Sequence, residues 1–327
     1  MKKYMMWTVV AVCMLSSCTS VRMISFDELT PAKFNFPPDV KTVAIVNNMP
    51  EVPAPEEGML TLGELKADGK VSAEALATAL ADSRYFSQVV ICDSALHPKA
   101  KDRVVLSLKE IQKLTSDLET DLILSLDEVK IRTAKEDVFY PELAMIWQAV
   151  GMKVTPVLSV YMPSREKPLH VIAPTDSLYW DIAELVSDQP LIEEGSRMAA
   201  SMLTRQLVPY WNTVNRSYFG GGCVEMRDAE VCLRENDWEG ARKLWNVLYE
   251  RQKKGRLKMK AAFNIALSYE MSGDLQQARK WLDNAQALIK PGSSEERIVK
   301  FYDEQLKERM KITSRLHLQM SRFDNKF

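Results

Sequence analysis

The chain has 327 residues, of which 46% are hydrophobic and 27% are charged. This composition is typical of a soluble globular protein of about two domains, and it excludes a disordered chain and a multi-pass membrane protein. Lysine and arginine (43) nearly balance aspartate and glutamate (44), so the chain has no strong field to recruit nucleic acid. We therefore expect no nucleic-acid partner.

The N-terminus has the features of an export signal. Two lysines precede an apolar run over residues 5–15. A membrane-spanning helix needs roughly 20 apolar residues, so this shorter run predicts a signal peptide over residues 1–17 that is removed. The stretch LSSC at 15–18 resembles the lipobox of bacterial lipoproteins, which implies that the Cys18 thiol is acylated. The alternative is an ordinary secretory signal followed by an incidental cysteine.

Acylation of Cys18 would fix the location of the mature chain. Two or three acyl chains anchor a protein stably in a membrane, whereas a single acyl chain binds only weakly and reversibly. The cysteine is followed by Thr19 and Ser20. By resemblance to lipoprotein sorting rules, aspartate after the cysteine implies inner-membrane retention, and an acidic run implies surface export. Neither is present here, so we predict a lipid anchor in the outer membrane that faces the periplasm.

The next 200 residues have the pattern of an α/β layer. Residues 18–40 contain three prolines and are interpreted as a tether, and the globular pattern begins at residue 41. A capping box at Ser107 and Glu110 marks one helix start, and the last three strands are expected to form an antiparallel meander. The predicted elements are strands at 41–47, 88–92, 121–132, 152–162 and 169–180 and helices at 73–86, 107–116 and 190–207.

Two short stretches resemble known lipoprotein families. The run PAKFNFP at 31–37, with SRYF at 83–86 before the strand at 88–92, looks like the periplasmic domain of the curli-secretion lipoprotein and its relatives. The stretch LVPYW at 207–211 looks like a Bacteroides-type lipoprotein family of unknown function. The resemblance implies a similar fold and no particular activity. The sequence shows no long amphipathic segment that would build a barrel hairpin, so a secretion pore is not expected.

A second domain is predicted from residue 220 onward. Three glycines at 220–222 are interpreted as a hinge, because no Gly-Lys-Ser/Thr follows them as in a phosphate-binding loop. Residues 229–245 then recur with an offset of 37, for example Ala229 as Ala266 and ARK at 241–243 as ARK at 278–280. This resembles tetratricopeptide repeats, and a capping box at 293–296 predicts a last helix that closes the stack.

The predicted fold class is therefore α+β. A mixed sheet with packed helices is expected over 41–219, and an all-α, tetratricopeptide-like domain over 220–327.

The resemblance to tetratricopeptide repeats also implies a groove for a partner peptide or helix. The residues expected to line it are Met226, Glu230, Leu233, Lys260, Phe263 and Leu267. For Met226 and Phe263 the alternative is a place in the core, because helical periodicity does not separate the two roles.

Cys223 and Cys232 also allow two interpretations. Nine residues along one helix separate two Cα atoms by about 13 Å, so a disulfide requires a bend between them. Otherwise the two side chains are small buried hydrophobes.

The sequence contains few groups that could do chemistry. Its three histidines, His97, His170 and His317, have no second ligand at a recognised metal-binding spacing. The chain also lacks a Gly-x-Ser-x-Gly elbow. We therefore predict no metal, no cofactor and no enzymatic activity.

Two functional hypotheses follow from these observations. The first is a lipid-anchored, non-catalytic scaffold or assembly factor that recruits another envelope protein through its helical repeats. The alternative is a module that binds cell-wall glycan, or an unrecognised hydrolase, with its pocket in the loop over residues 50–70.

Overall fold

The computed structural model describes residues 20–51, 60–100, 102–141, 144–181 and 187–326. These residues form two compact units. The α/β unit comprises Thr30–Tyr210 with Leu318–Phe327, and the helical unit comprises the described residues up to Leu29 with Trp211–His317. The fold class is α+β, as predicted. The signal peptide and Cys18 lie outside the described residues.

The elements are numbered in chain order. The strands are β1 (Ser20–Thr30), β2 (Thr42–Asn47), β3 (Gly63–Lys66), β4 (Gln88–Cys92), β5 (Leu122–Tyr140), β6 (Met145–Tyr161), β7 (His170–Ile172), β8 (Asp176–Asp181) and β9 (Tyr210–Gly220). The helices are α1 (Gly69–Asp82), α2 (Leu108–Asp117), α3 (Gln189–Leu207), α4 (Val224–Arg234), α5 (Trp238–Arg251), α6 (Arg256–Met271), α7 (Leu275–Ala287) and α8 (Ser294–Met320), with a 3-10 turn at Ser321–Lys326.

The mixed sheet of the α/β unit is organised around β2. This strand pairs in parallel with β4 on one side and with β5 on the other, and β5 continues antiparallel into β6. Ile45 packs with Leu76 of α1 on one face, and Val46 packs with Ile111 of α2 on the other. Helices thus cover both faces, which explains why the strand is a continuous β-branched run instead of an alternating one.

The predicted meander is present, but its strands differ in length from the prediction. β5 has 19 residues and β6 has 17, so both extend beyond the predicted ranges. The outer part of this ribbon is exposed on both faces, so its sequence lacks the alternation that marks a half-buried strand. The predicted strand at 169–180 is two short strands, β7 and β8, with Pro174 between them, because proline offers no N–H to a ladder.

The tether predicted for residues 18–40 is corrected by the structure over its described part. Residues 20–30 form β1, which pairs with β9 in a two-stranded sheet. Ala32, Phe34 and Phe36 are buried in the α/β unit. The prolines that suggested a tether flank these buried side chains, so they shape a packed segment.

The helical unit consists of two helix pairs, α4–α5 and α6–α7, followed by α8. Positions offset by 37 are buried in both pairs, as in Ala229 and Ala266 or Trp245 and Leu282. The ribbon of β1 and β9 belongs to the same core through Ile24, Phe26 and Phe219. The units therefore divide near residue 210, whereas the sequence placed the boundary at 219.

Four buried or half-buried charges hold this ribbon against the helices. Arg216 of β9 and Arg309 of α8 each donate to Glu270 Oε1 of α6 over 2.9 Å. Both arginines also lie near Glu28 Oε2 of β1, at 3.6 and 3.3 Å. Charges of both signs alternate in the cluster, so each buried ion has partners that offset its loss of water.

Glu270→Gln is expected to destabilise the helical unit by about 3 kcal/mol, because two arginines then share Glu28 as their only carboxylate in the cluster. Glu308→Gln on the exposed side of α8 is the matched control and should change stability by less than about 0.5 kcal/mol. Urea unfolding of both variants measures the difference. Equal stability of the two variants would show that the cluster does not support the unit.

Candidate functional site

Two asparagines terminate the central strand of the α/β unit. Asn47 is the last residue of β2 and Asn48 follows it, so their side chains leave the strand on opposite faces. In open α/β sheets, ligands bind outside the carboxyl ends of the parallel strands. The two asparagines stand at this edge, and each organises the residues on its own side.

The face that carries Asn47 has a cavity of about 630 Å³. This volume is in the range of small-molecule sites, which runs from about 300 to 1,000 Å³. The end of β2, the loop after β4 and the first turns of α1 and α3 form its walls. The lining residues are Asn47, Pro50, Glu51, Glu64, Leu65, Lys66, Ala67, Asp68, Gly69, Lys70, Val71, Asp93, Ser94, Ala95, Asp188, Gln189, Ile192 and Glu193.

The cavity lies at the predicted loop site over residues 50–70. Its walls include both ends of that range, while residues 52–59 are outside the described part of the chain. Gly69 allows α1 to begin directly against the strand end, because a Cβ at this position would lie 2.7 Å from Asn47 Oδ1. Asn47 Nδ2 also donates to Asp93 O over 2.8 Å, which fixes the opposite wall.

Several carboxylates that line the cavity contact neighbouring groups. Lys70 Nζ lies 3.4 Å from Asp93 Oδ2, and Arg132 Nη2 donates to Glu64 Oε1 over 2.7 Å. Asp188 is buried and accepts a hydrogen bond from the Thr61 main chain over 2.8 Å. The walls thus carry acceptors and donors of both signs beside apolar side chains.

The other face carries a network centred on Asp127, which is 1% exposed. Its carboxylate accepts hydrogen bonds from Ser125 Oγ over 2.7 Å and from Ser159 Oγ over 2.6 Å. Arg103 Nη2 lies 2.8 Å from Asp127 Oδ2. The register of β5 shifts between Leu126 and Glu128, so Asp127 occupies a β-bulge, a device that redirects one side chain.

Asn48 joins this network to the loop after β4. Its Nδ2 donates to Val104 O over 2.7 Å and to Asp127 Oδ1 over 3.1 Å, so its Oδ1 accepts from His97 Nδ1 over 2.8 Å. His97 Nε2 lies 3.2 Å from Glu110 Oε1, so the imidazole links Asn48 to the first turn of α2. Hydrogen bonds from Ser107, followed by the contact with His97, lower the pKa of the Glu110 carboxyl.

The six residues predicted to line a partner groove are buried in the helical unit, which corrects the prediction of an open groove. Their exposed fractions are Met226 1%, Glu230 7%, Leu233 7%, Lys260 8%, Phe263 0% and Leu267 0%. The end of β9 contacts this group: the rings of Phe219 and Phe263 meet edge to face at 4.9 Å, and Lys260 Nζ lies over the Phe219 ring. Burial lowers the pKa of Lys260. Met226 and Phe263 are thus core residues, the alternative stated for both.

The three described cysteines, Cys92, Cys223 and Cys232, are free thiols. Burial raises the pKa of the Cys223 thiol. Cys223 precedes α4 and Cys232 lies on it, so the helix between them keeps their side chains apart. No disulfide links them in this structure.

Several residues of the site were absent from the sequence-based prediction. The available signal was the pair Asn47-Asn48 directly after a buried strand, since polar residues at that point lie on the ligand-binding edge of an α/β sheet. His97, Arg103 and Asp127 had no local signal, because their partners are distant in sequence. In the described ranges, no three His, Cys, Asp or Glu side chains are grouped as a metal site.

The residues of the cavity and of the network around Asp127 all belong to a segment of the chain that one family model matches. The model of a domain of unknown function (DUF8603) matches residues 40–219, more than half of the chain. The chain belongs to this DUF8603 family. A second model, also a domain of unknown function (DUF6340), matches residues 227–308. No curated protein matches the chain.

Two solved structures are similar to the DUF8603 chain at low identity. A minor lipoprotein from Acinetobacter baumannii is 10% identical, with a TM-score of 0.27, over 51% of this chain and 88% of that chain. A PelC dodecamer from Paraburkholderia phytofirmans is 12% identical, with a TM-score of 0.28, over 58% of this chain and 98% of that chain.

Asn48→Ala is expected to destabilise the α/β unit by about 2 kcal/mol, because it removes the side-chain partner of the Val104 carbonyl and of His97 Nδ1. Asn212→Ala, at an exposed position of β9, is the matched control and should be close to neutral. Chemical unfolding measures both, and amide exchange should rise in the loop after β4 in the first variant only. A neutral Asn48→Ala would mean that the network does not hold the loop.

Proposed function

We propose that this DUF8603 protein is a lipid-anchored, periplasm-facing protein of the outer membrane that binds its ligand without transforming it. The membrane attachment is supported by the basic start, the apolar run over residues 5–15 and the lipobox ending at Cys18. In the parts of the chain that the structure describes, no helix has the length and apolarity to cross a bilayer. β1 begins at Ser20, so the folded body starts two residues after the proposed acylation site.

The cavity beside Asn47 supports the binding role. It combines a volume of about 630 Å³ with carboxylates, lysines and apolar side chains in its lining, and Asn47, Asp93 and Asp188 in that lining are hydrogen-bonded to neighbouring groups. Preorganised donors and acceptors suit a ligand with many hydroxyl groups, such as the glycan of the cell wall. The ligand class and the periplasmic location agree, because the cell wall lies on that side of the outer membrane.

The arrangement of Asp127 favours binding over catalysis. A general base requires a lone pair within reach of a substrate proton, whereas both oxygens of this carboxylate accept from neighbouring side chains. Asp127 therefore acts as a structural acceptor that fixes Arg103 and Asn48. We accordingly propose no enzymatic activity.

A second candidate function is recruitment of another envelope protein by the helical unit. The two helix pairs, with equivalent alanines buried at an offset of 37, support a repeat scaffold. Because the six groove residues are covered by the chain itself, a partner would have to use the outer faces of the helices. Crosslinking in native membranes followed by pull-down distinguishes this function from glycan binding.

Cys18→Ser is expected to abolish incorporation of labelled palmitate when the full-length chain is expressed in a bacterium that acylates lipoproteins. Cys13→Ser is the matched control, since this residue lies in the predicted signal peptide and should leave labelling unchanged. Mass spectrometry of the mature N-terminus identifies the acylated residue. An unacylated N-terminus in the wild-type protein would contradict the proposed anchor.

Val71→Trp is expected to reduce binding to sedimented peptidoglycan about tenfold, a loss of roughly 1.4 kcal/mol, because the larger side chain fills the cavity wall. Thr78→Trp adds the same side chain at an exposed position of α1 and is the matched control. Absence of wild-type binding, or equal losses in both variants, would contradict a ligand site in the cavity.

A further inference from the structure

Basic residues are concentrated at one end of the helical unit, around the turn between α5 and α6. The ten residues at 251–260 contain six basic side chains and no acidic one. Arg251 pairs with Glu225, and Arg256 pairs with Glu295. Lys253 and Lys254 at the turn itself are exposed, so the segment presents an excess of positive charge to solvent.

The first residues of β1 lie at the same end of this unit. Arg22 Nη1 lies 2.9 Å from Glu230 Oε2, and Glu230 Oε1 accepts a hydrogen bond from Gly221 N over 2.9 Å. A Cβ placed on the next residue, Gly222, would lie 4.0 Å from Leu257 Cδ2 in the basic segment. Glu230 and the two glycines thus bring the start of β1 beside the turn between α5 and α6.

The exposed face of β1 changes from apolar to polar along the strand. Val21 is 39% exposed and Met23 is 68% exposed, and they share one face with Ser25 and Asp27 because alternate residues of a strand point the same way. The polar pair is bonded to β9, since Ser25 Oγ donates to Asn215 Oδ1 over 2.6 Å and Thr213 Oγ1 donates to Asp27 over 2.6 Å.

Another large apolar side chain is exposed near the apolar end of β1. Val224, the first residue of α4, is 57% exposed and follows the glycine-rich turn at 220–222. Large apolar side chains are therefore exposed near residues 251–258, here called the basic turn, at the end of the helical unit where β1 begins.

We propose that this end of the helical unit, formed by Val21, Met23, Val224 and the basic turn at 251–258, lies against anionic phospholipid headgroups. The proposal rests on the proposed acylation of Cys18. Val21 follows that residue by three positions, so its Cα lies within about 11 Å of the Cys18 Cα. The apolar side chains enter the headgroup layer, and the lysines and arginines face the phosphates.

The acyl chains favour a lipid surface over a protein as the occupant. They keep the start of β1 next to the bilayer at all times, which gives headgroups a high effective concentration at this end. The excess of positive charge complements anionic phospholipids. The exposed face of β1 is apolar at its start and polar further along. This order fits a strand whose first residues lie in the headgroup layer and whose later residues are in water.

The test uses the mature chain with Cys18→Ser, residues 18–327, so that the protein surface is measured without acyl chains. Its partitioning is measured by sedimentation with vesicles of phosphatidylcholine, alone or mixed with phosphatidylglycerol. We expect binding to the mixed vesicles that weakens with salt. Lys253→Glu with Lys254→Glu should reduce this binding about twenty-fivefold or more, because each basic residue at an anionic surface contributes roughly fivefold.

Lys280→Glu with Lys311→Glu is the matched control, because it changes net charge equally at exposed positions of α7 and α8. Met23→Ser should also weaken binding, and thermal unfolding checks that all variants fold. Equal binding to both vesicle types, or an equal loss in the control, would overturn the proposal. Acylation of the wild-type N-terminus is read separately by mass, so failure of the anchor and failure of this surface are distinguishable.

Discussion

The α/β unit depends on one constraint, the change from strand to loop at Asn47 and Asn48. A central parallel strand must be apolar on both faces, so the polar side chains at the carboxyl end of β2 appear only where the strand itself ends. Since successive side chains alternate, one asparagine fixes the wall of the cavity and the other joins the network of Asp127. Both wall and network include the loop after β4, because Asp93 and His97 belong to it.

The constraint also explains the position of the cavity. α1 begins against the strand end because Gly69 has no Cβ, and Asp68 caps its first turn by accepting from Val71 N. The cavity is therefore bounded by the starts of two helices, α1 and α3, together with the end of β2 and the loop after β4. Walls that are already in place before binding reduce the cost of ordering a ligand.

Features with a local origin could be predicted from the sequence. The capping box of Ser107 and Glu110 is present as expected, because both groups belong to one helical turn. The polar network could not be predicted, since Asn48 and His97 are 49 residues apart and Asn48 and Asp127 are 79 apart. β1 was missed for a related reason: the apolar residues that it buries, Ile24 and Phe26, are covered by β9 and by helices that follow it by about 200 residues.

The six residues expected to line a groove show that a resemblance to helical repeats predicts the helices but does not predict whether their concave face binds a partner. The small and apolar positions recur because helices must approach closely, and this requirement holds whether the concave face is open or filled. Here Asn264 on α6 holds the main chain of Phe219 through two hydrogen bonds, accepting from its N–H over 2.9 Å and donating to its carbonyl over 2.7 Å. A side chain in a peptide-binding groove would hold an extended peptide by the same pair of bonds. In this chain, β9 takes the place of such a peptide. The groove therefore contributes to folding, and the surfaces left for other molecules are those that β9 does not cover.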